Sequence, residues 1–237
     1  MDATGVGMQG PGGAAAAGRM AYVGLVYSPG DEGEPARERA VAGRYDLAEL
    51  GEQRRRQGAQ VGMDRADVWV ALTDGGAGLE AFRRVYFPRA QGVLDFYHAA
   101  EHLNDLAKAL YAGDEAKAAE AAGAWCHTLK HEGSAALLAV LEGLDLRGRK
   151  GEVREVYRRE VGYVRNNVHR MDYPRYRADG WLIGSGHVEA ACKAVGGQRL
   201  KGNGMRWGAA GADAVCQLRA LFKSEKGQWE AFWGNAA

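Results

Sequence analysis

The feature that most constrains this chain is a change of period partway along it. Residues Val68 to Thr73 (VWVALT) form a compact apolar run ending at Asp74-Gly75-Gly76, and Gly92 to Phe96 (GVLDF) repeats the pattern with Asp95 near its end. Short apolar runs bounded by turn residues read as buried strands. From His98 to His169 the spacing turns helical: HAAEHLNDLAKALY, DEAKAAEAAGAWCHTLKH with Asp114 as N-cap, SAALLAVLEGL, and EVREVYRREVGYVRNNVHR. In the last, Val153, Val156, Val161, Val164 and Val168 are read as one stripe. A block this long exceeds a simple crossover, so an inserted helical bundle is expected.

The flanks complete an α/β pattern. Met1 to Val6 reads as the end of a strand and Arg19 to Ser28 as a second strand, joined through a glycine-rich turn. Pro29 to Ala36 is a polar loop, Val41 to Tyr45 a short third strand, Leu47 to Val61 a helix, and Ala77 to Phe87 a helix closed by Pro88. After the block come Trp181 to Val195 with Ser185 as N-cap, the basic loop QRLKGNGMRW, and a last helix carrying Val215, Leu218, Leu221 and Phe222. The expected divisions are 1–97 for the first part of the core, 98–180 for the all-helical insertion and 181–237 for the part that completes the core.

At 237 residues with 46% hydrophobic and 26% charged content, the chain has globular composition. No apolar run reaches the ~18 to 20 residues of a membrane-spanning helix, and the opening residues lack a signal-peptide pattern. The cysteines Cys126, Cys192 and Cys216 are too few and scattered for a disulfide framework, so a reducing cytoplasm is expected. Net charge of +1 excludes a globally basic protein, but charge is uneven. Between Arg147 and Arg177 stand Arg149, Lys150, Arg154, Arg158, Arg159, Arg165, Arg170 and Arg175 against Glu152, Glu155, Glu160 and Asp172, interleaved with Tyr157, Tyr163, Tyr173 and Tyr176. That mixture suits either phosphate contact with stacking or a solvated helix face.

Three acids stand at special places: Asp2 in the first strand, Asp74 after VWVALT, and Glu189 in the first turn after Gly184-Ser185-Gly186. Singly each reads as a turn or cap residue. Together they provide what two-metal phosphoryl transfer needs, carboxylates from separate elements that clamp hard cations ~3.5 to 4 Å apart. Two other motifs compete. Gly5-Val6-Gly7-Met8-Gln9-Gly10 matches GxGxxG, but it runs into Pro11-Gly12-Gly13 rather than a helix, so a hairpin turn is expected. His98-Ala99-Ala100-Glu101-His102 matches the HxxEH zinc-hydrolase pattern, with His127 and His131 at the same spacing. Packing or hydrogen bonding of His98 and His102 at the base of the bundle is the plainer expectation. The loop Gly196 to Trp207 carries Arg199, Lys201 and Arg206 on open backbone and fits either phosphate contact or a surface turn with Trp207 in the core.

The stretches DATGV (2 to 6), GRMAYVGLVYSP (18 to 29), ALTDGGAGLE (71 to 80), VLDFYHAAEHL (93 to 103), RMDYPRYRADGWLIGSGHVEAACK (170 to 193) and RLKGNGMRWGAAGADAVCQLRAL (199 to 221) resemble the transposases of ISKra-type bacterial insertion sequences. The resemblance implies an α/β fold with a ribonuclease H-like mixed sheet flanked by helices, and an all-α insertion before the last catalytic helix. It implies a DDE triad on Asp2, Asp74 and Glu189 holding Mg²⁺ or Mn²⁺, and DNA cleavage and strand transfer in transposition. Asp95 and His98 form a pair similar to one near the active site of related mutator-like transposases. The expected partner is double-stranded DNA, contacted by Arg199, Lys201, Arg206, Lys193, Arg165 and Arg170, with a homo-oligomer forming on it, no membrane, and a nucleoid-associated cytoplasmic location. The family carries a DNA-binding region before the first acid, so the chain is expected to be N-terminally truncated. The alternatives are an inactive DNA-binding remnant and a zinc hydrolase using His98, Glu101 and His102.

Overall fold

The computed structural model describes residues 2–30, 35–76 and 78–234. It is mixed α/β, with small sheets flanked by helices. Two compact units form: unit 1 comprises Met1–Trp69, Gly78–Ala90 and Ser185–Ala237, and unit 2 comprises Val70–Ala77 and Gln91–Gly184.

Unit 1 is built on an antiparallel meander, β1 (Asp2–Gln9), β2 (Ala15–Pro29) and β3 (Pro35–Gly43). The glycine-rich turn is a 3-10 turn over Pro11–Gly13, where Gly12 and Gly13 take φ of 65° and 82°. L side chains with a Cβ avoid that region, so GxGxxG belongs to a hairpin, as expected. The sheet has two covered faces. Ala40 and Ala42 face one way with Ala21, Val23 and Leu25, and Val41 faces the other, as the period of a strand requires.

Against the first face pack α8 (Gly186–Cys192), a π-helical turn over Lys193–Gly197, α9 (Gln198–Leu200) and α10 (Ala209–Lys223), through Val188, Ala191, Cys192, Val195, Leu200, Ala212, Cys216 and Ala220. Small residues let these backbones come close: a Cβ added at Gly196 would lie 2.6 Å from Thr4 Cγ2. Val41 packs with Leu50 of α1 (Leu47–Gln60) and with Leu79 and Phe82 of α2 (Leu79–Tyr86). Helix α1 starts with a capping box, Asp46 accepting from the Glu49 N–H while Glu49 accepts from the Asp46 N–H. A final helix, α11 (Gln228–Gly234), follows α10.

Unit 2 carries two short parallel strands, β4 (Val70–Thr73) and β5 (Gln91–Leu94), in register from Val70 with Gln91 to Thr73 with Leu94. Around them fold α3 (Phe96–Leu110), α4 (Glu115–His131), α5 (Ser134–Glu142), α6 (Gly151–Asn167) and α7 (Tyr173–Ala178). Asp95 and Asp114 cap α3 and α4 through their side chains. One core joins Val93 and Leu94 to Leu103, Leu106, Leu129, Leu137, Leu141, Val164 and the fully buried Tyr173 and Tyr176.

Several expected boundaries shift. The third strand begins at Pro35 rather than Val41, and part of the loop expected before it lies outside the described residues. The helix expected from Ala77 begins at Leu79, Ala77 itself lying outside the described residues. The helical block does not stand apart from sheet structure, because β4 and β5 join it in unit 2. Its last long helix buries Glu160, Val161, Val164 and Asn167 rather than a pure valine stripe. Ser185 occupies the N-cap of α8 without a side-chain capping bond. No helix among the described residues is long and apolar enough to cross a membrane.

Candidate functional site

Parallel pairing sets the first part of the site. Because Thr73 is in register with Leu94, the next residues of the two strands, Asp74 and Asp95, both leave the carboxyl end of the pair. The Asp95 N–H donates to the Thr73 carbonyl at 2.8 Å, extending the ladder to that point. Ligand sites of parallel sheets form at this edge, where strands end and loops diverge.

The two carboxylates are held differently. Asp95 is 3% exposed and its Oδ1 accepts from the N–H groups of Tyr97 (2.7 Å) and His98 (3.3 Å) at the start of α3. Asp74 is half-buried, and its Oδ1 accepts from the Gly76 N–H at 2.9 Å in an Asx turn. Asp74 Oδ2 meets no donor among the described residues. Between them Gly75 takes φ of 81°, and a Cβ there would stand 2.6 Å from the Tyr163 hydroxyl and 2.9 Å from Leu94 Cδ1. Glycine is required on both counts.

Helix α6 supplies the rest. Glu160, 2% exposed, accepts from His102 Nδ1 at 2.5 Å and pairs with Arg159 at 2.6 Å. The His102 ring stacks on Tyr163 with centroids 3.6 Å apart and planes 21° from parallel. His98 lies edge-on to His102 at 5.4 Å and pairs with the exposed Glu101 at 3.4 Å. Burial pushes the Tyr163 phenol up to about 12, with Asp74, Asp95 and Glu160 adding to the rise and Arg170 opposing it. The phenol therefore stays protonated across the working pH range, as a hydrogen-bond donor.

Arg170 corrects an expectation. Placed on the DNA-facing surface by the sequence, it is 5% exposed, donating to Asn167 Oδ1 at 2.7 and 2.9 Å and to Thr73 Oγ1 at 3.2 Å. A guanidinium committed to two side chains inside the unit counters the nearby carboxylates instead of meeting a phosphate. Of the four interleaved tyrosines, two are withdrawn from any stacking surface by burial. Tyr173 and Tyr176 are fully buried, Tyr173 donating to the Leu94 carbonyl at 3.0 Å, and Tyr157 donates to the Leu141 carbonyl at 3.1 Å.

The remaining acids belong to unit 1. Asp2 heads β1 in register with Val23, and its side chain lies outside the described residues. Glu189 is in the first turn of α8, which packs on β1 and β2. Its side chain is 60% exposed and pairs with Lys193 at 2.8 Å. Arg199 on α9 and Lys201 and Arg206 on the loop after it are exposed. That loop is anchored by Trp207, whose N–H donates to the Gly7 carbonyl at 3.0 Å and whose carbonyl accepts from the Gln9 N–H at 2.9 Å. Trp207 itself is half-buried against the β1–β2 core, so the loop is a basic surface turn with its indole tucked in. Arg165 is exposed and pairs with Glu142 at 2.6 Å.

Among the described residues, no three His, Cys, Asp or Glu side chains lie close enough to hold a metal ion. The donor chemistry is nevertheless that of a hard cation's ligands, since all three expected residues are carboxylates. His102 Nδ1 is committed to Glu160, the hydrogen-bonding role expected at the base of the bundle, while His98 lies 3.4 Å from the exposed Glu101 and packs edge-on to His102. The pairing of His102 with Glu160 and Tyr163 was not read from the sequence. The signal was Glu160 and Asn167, polar residues spaced by three and four with Val153, Tyr157 and Val164 on one helix face. No protein-family model matches the sequence, and no curated protein is significantly similar to it.

Proposed function

We propose that this chain is the catalytic region of a DDE-type DNA transposase with a ribonuclease H-like core, acting in metal-dependent cleavage and strand transfer of double-stranded DNA. The observation that carries the reading is Asp74 at the carboxyl end of β4, beside Asp95 at the end of the parallel neighbour β5. An antiparallel meander and a parallel pair, both flanked by helices, are the ingredients of a mixed sheet of that class. A third acid, Glu189, stands in the first turn of a helix packed on β1 and β2.

Asp2, Asp74 and Glu189 would hold Mg²⁺ or Mn²⁺, and such ions when bound activate the attacking oxygen and stabilise the leaving one. The chain's own residues do the rest. The Asx turn at Asp74 fixes one carboxylate oxygen. Arg170 holds Thr73, the residue before Asp74, and offsets the local negative charge. Exposed Arg199, Lys201 and Arg206, with Lys193 and Arg165, would track phosphates, giving affinity that falls steeply with salt. Assembly as a homo-oligomer on DNA and a cytoplasmic, nucleoid-associated location belong to the same proposal.

Nicking of supercoiled plasmid with Mn²⁺, compared with EDTA, tests it. Wild type is expected to nick only with the ion, and Asp74→Asn and Glu189→Gln to lose activity by at least about 10²-fold. DNA binding without metal-dependent nicking would identify an inactive DNA-binding remnant and overturn the enzymatic reading.

A further inference from the structure

We propose that a shallow hollow on unit 2, rimmed by Arg147, Arg154 and Arg158 and floored by Leu146 and Tyr157, holds one unpaired nucleotide of a single-stranded nucleic acid. This binding goes beyond the strand-transfer reading and needs no metal ion, so the two can fail separately.

The hollow is built by the start of α6 and the loop before it. Arg154 and Arg158 stand four residues apart on one face of the helix, and Arg147 comes from the loop. Like charges at that spacing disfavour a helix unless a counter-charge answers them. Among the described residues none does. Arg154 donates only to the Leu146 carbonyl at 3.2 Å, Arg158 has no ion-pair partner, and Glu152 and Glu155 of the same turns pair with neither. Arg147 is shared with Asp145 at 2.8 Å, which holds it at the rim. Two guanidiniums are thus left to meet an anion from outside.

The floor narrows the choice of anion. Leu146 and Tyr157 are half-buried and pack on the unit 2 core, and the Tyr157 hydroxyl donates to the Leu141 carbonyl at 3.1 Å. With its polar tip engaged, the ring offers carbon to the hollow. A free phosphate would use the rim and leave this carbon wet, and a duplex keeps its bases stacked inside. An unpaired base covers the floor with its flat face while its flanking phosphates meet the guanidiniums. The volume, about 390 Å³, is at the small end of ligand sites, ~300 to 1,000 Å³, and suits one nucleotide.

The test is fluorescence anisotropy of a short labelled oligothymidylate titrated with the full chain in EDTA, beside an abasic strand and a duplex of the same length. Wild type is expected to bind the base-bearing strand about tenfold tighter than the abasic one. The double variant Arg154→Ala/Arg158→Ala is expected to lower the slope of log affinity against log salt on that strand by about 1.4, at about 0.7 for each phosphate contact. Its melting temperature should match that of wild type, both side chains being exposed. Equal affinity for the abasic strand would reduce the hollow to a polyanion site and overturn the proposal. A double variant that binds like wild type, or that weakens the duplex as much as the strand, would also overturn it, as would a wild type that binds no single strand. Strand binding of the expected kind without Mn²⁺-dependent nicking would sink the enzymatic reading and leave this one standing.

Discussion

Asp74 and Glu189 are acids of the same chemistry in opposite settings. Asp74 closes a strand in a half-buried turn, surrounded by a buried arginine, a phenol and the network that Glu160 organises. Glu189 stands on an exposed helix turn with one lysine for company. A residue fixed by its unit costs stability when its supports are cut, whereas a solvated one can be changed for function at almost no structural cost. The preorganised acid is therefore the one in unit 2, and Glu189 of unit 1 is an acid that can be changed at almost no structural cost.

The largest test of that contrast is Glu160→Ala, expected to destabilise by about 2 to 3 kcal/mol in urea titration, because it strips the buried partner from His102 and Arg159. Glu189→Ala is expected to stay within about 0.5 kcal/mol of wild type, its pair with Lys193 being exposed. Equal effects of the two changes would break the comparison. Gly75→Ala should cost about 2 kcal/mol, combining a φ of 81° with collision against the Tyr163 hydroxyl. Gly196→Ala in unit 1 meets only the Thr4 methyl and helical φ, so about 1 kcal/mol is expected, and thermal melts would sharpen the difference.

Smaller still is Tyr173→Phe, which leaves the Leu94 carbonyl without its donor and should cost about 1 kcal/mol by the same titration. Smallest in stability, and visible only in binding, are Lys201→Ala and Arg206→Ala. Both are exposed, so the fold should not respond, while each should reduce the slope of log affinity against log salt by about 0.9 on duplex DNA. A slope unchanged by both would remove that loop from the DNA-facing surface.

Much of the fold was legible because its signals are local. The β-branched and aromatic run AYVGLVY, the cap Asp114, and the strand-then-acid pattern of VALTD and GVLD each act within a few residues. Asp74 and the helical position of Glu189 were legible for the same reason. What escaped depends on partners far apart in the chain. Arg170 reads as one more cation in a basic run until Thr73, 97 residues earlier, turns out to accept its hydrogen bond. Glu160 reads as a surface charge until His102, 58 residues away, closes on it. The tyrosines of that segment looked like stacking platforms because sequence gives their spacing and not which helix covers them; Tyr173 and Tyr176 are core.

The most direct test of the central claim is Mn²⁺ binding measured by calorimetry on the wild-type chain and on Asp74→Asn and Glu189→Gln. Since Glu189→Gln touches only an exposed pair, any loss of binding it causes reports on the ion rather than on folding. Saturable binding by wild type, abolished by both substitutions, is the expected result. Binding that survives both, or a wild type that binds no Mn²⁺, would contradict the assignment of these carboxylates to one metal site.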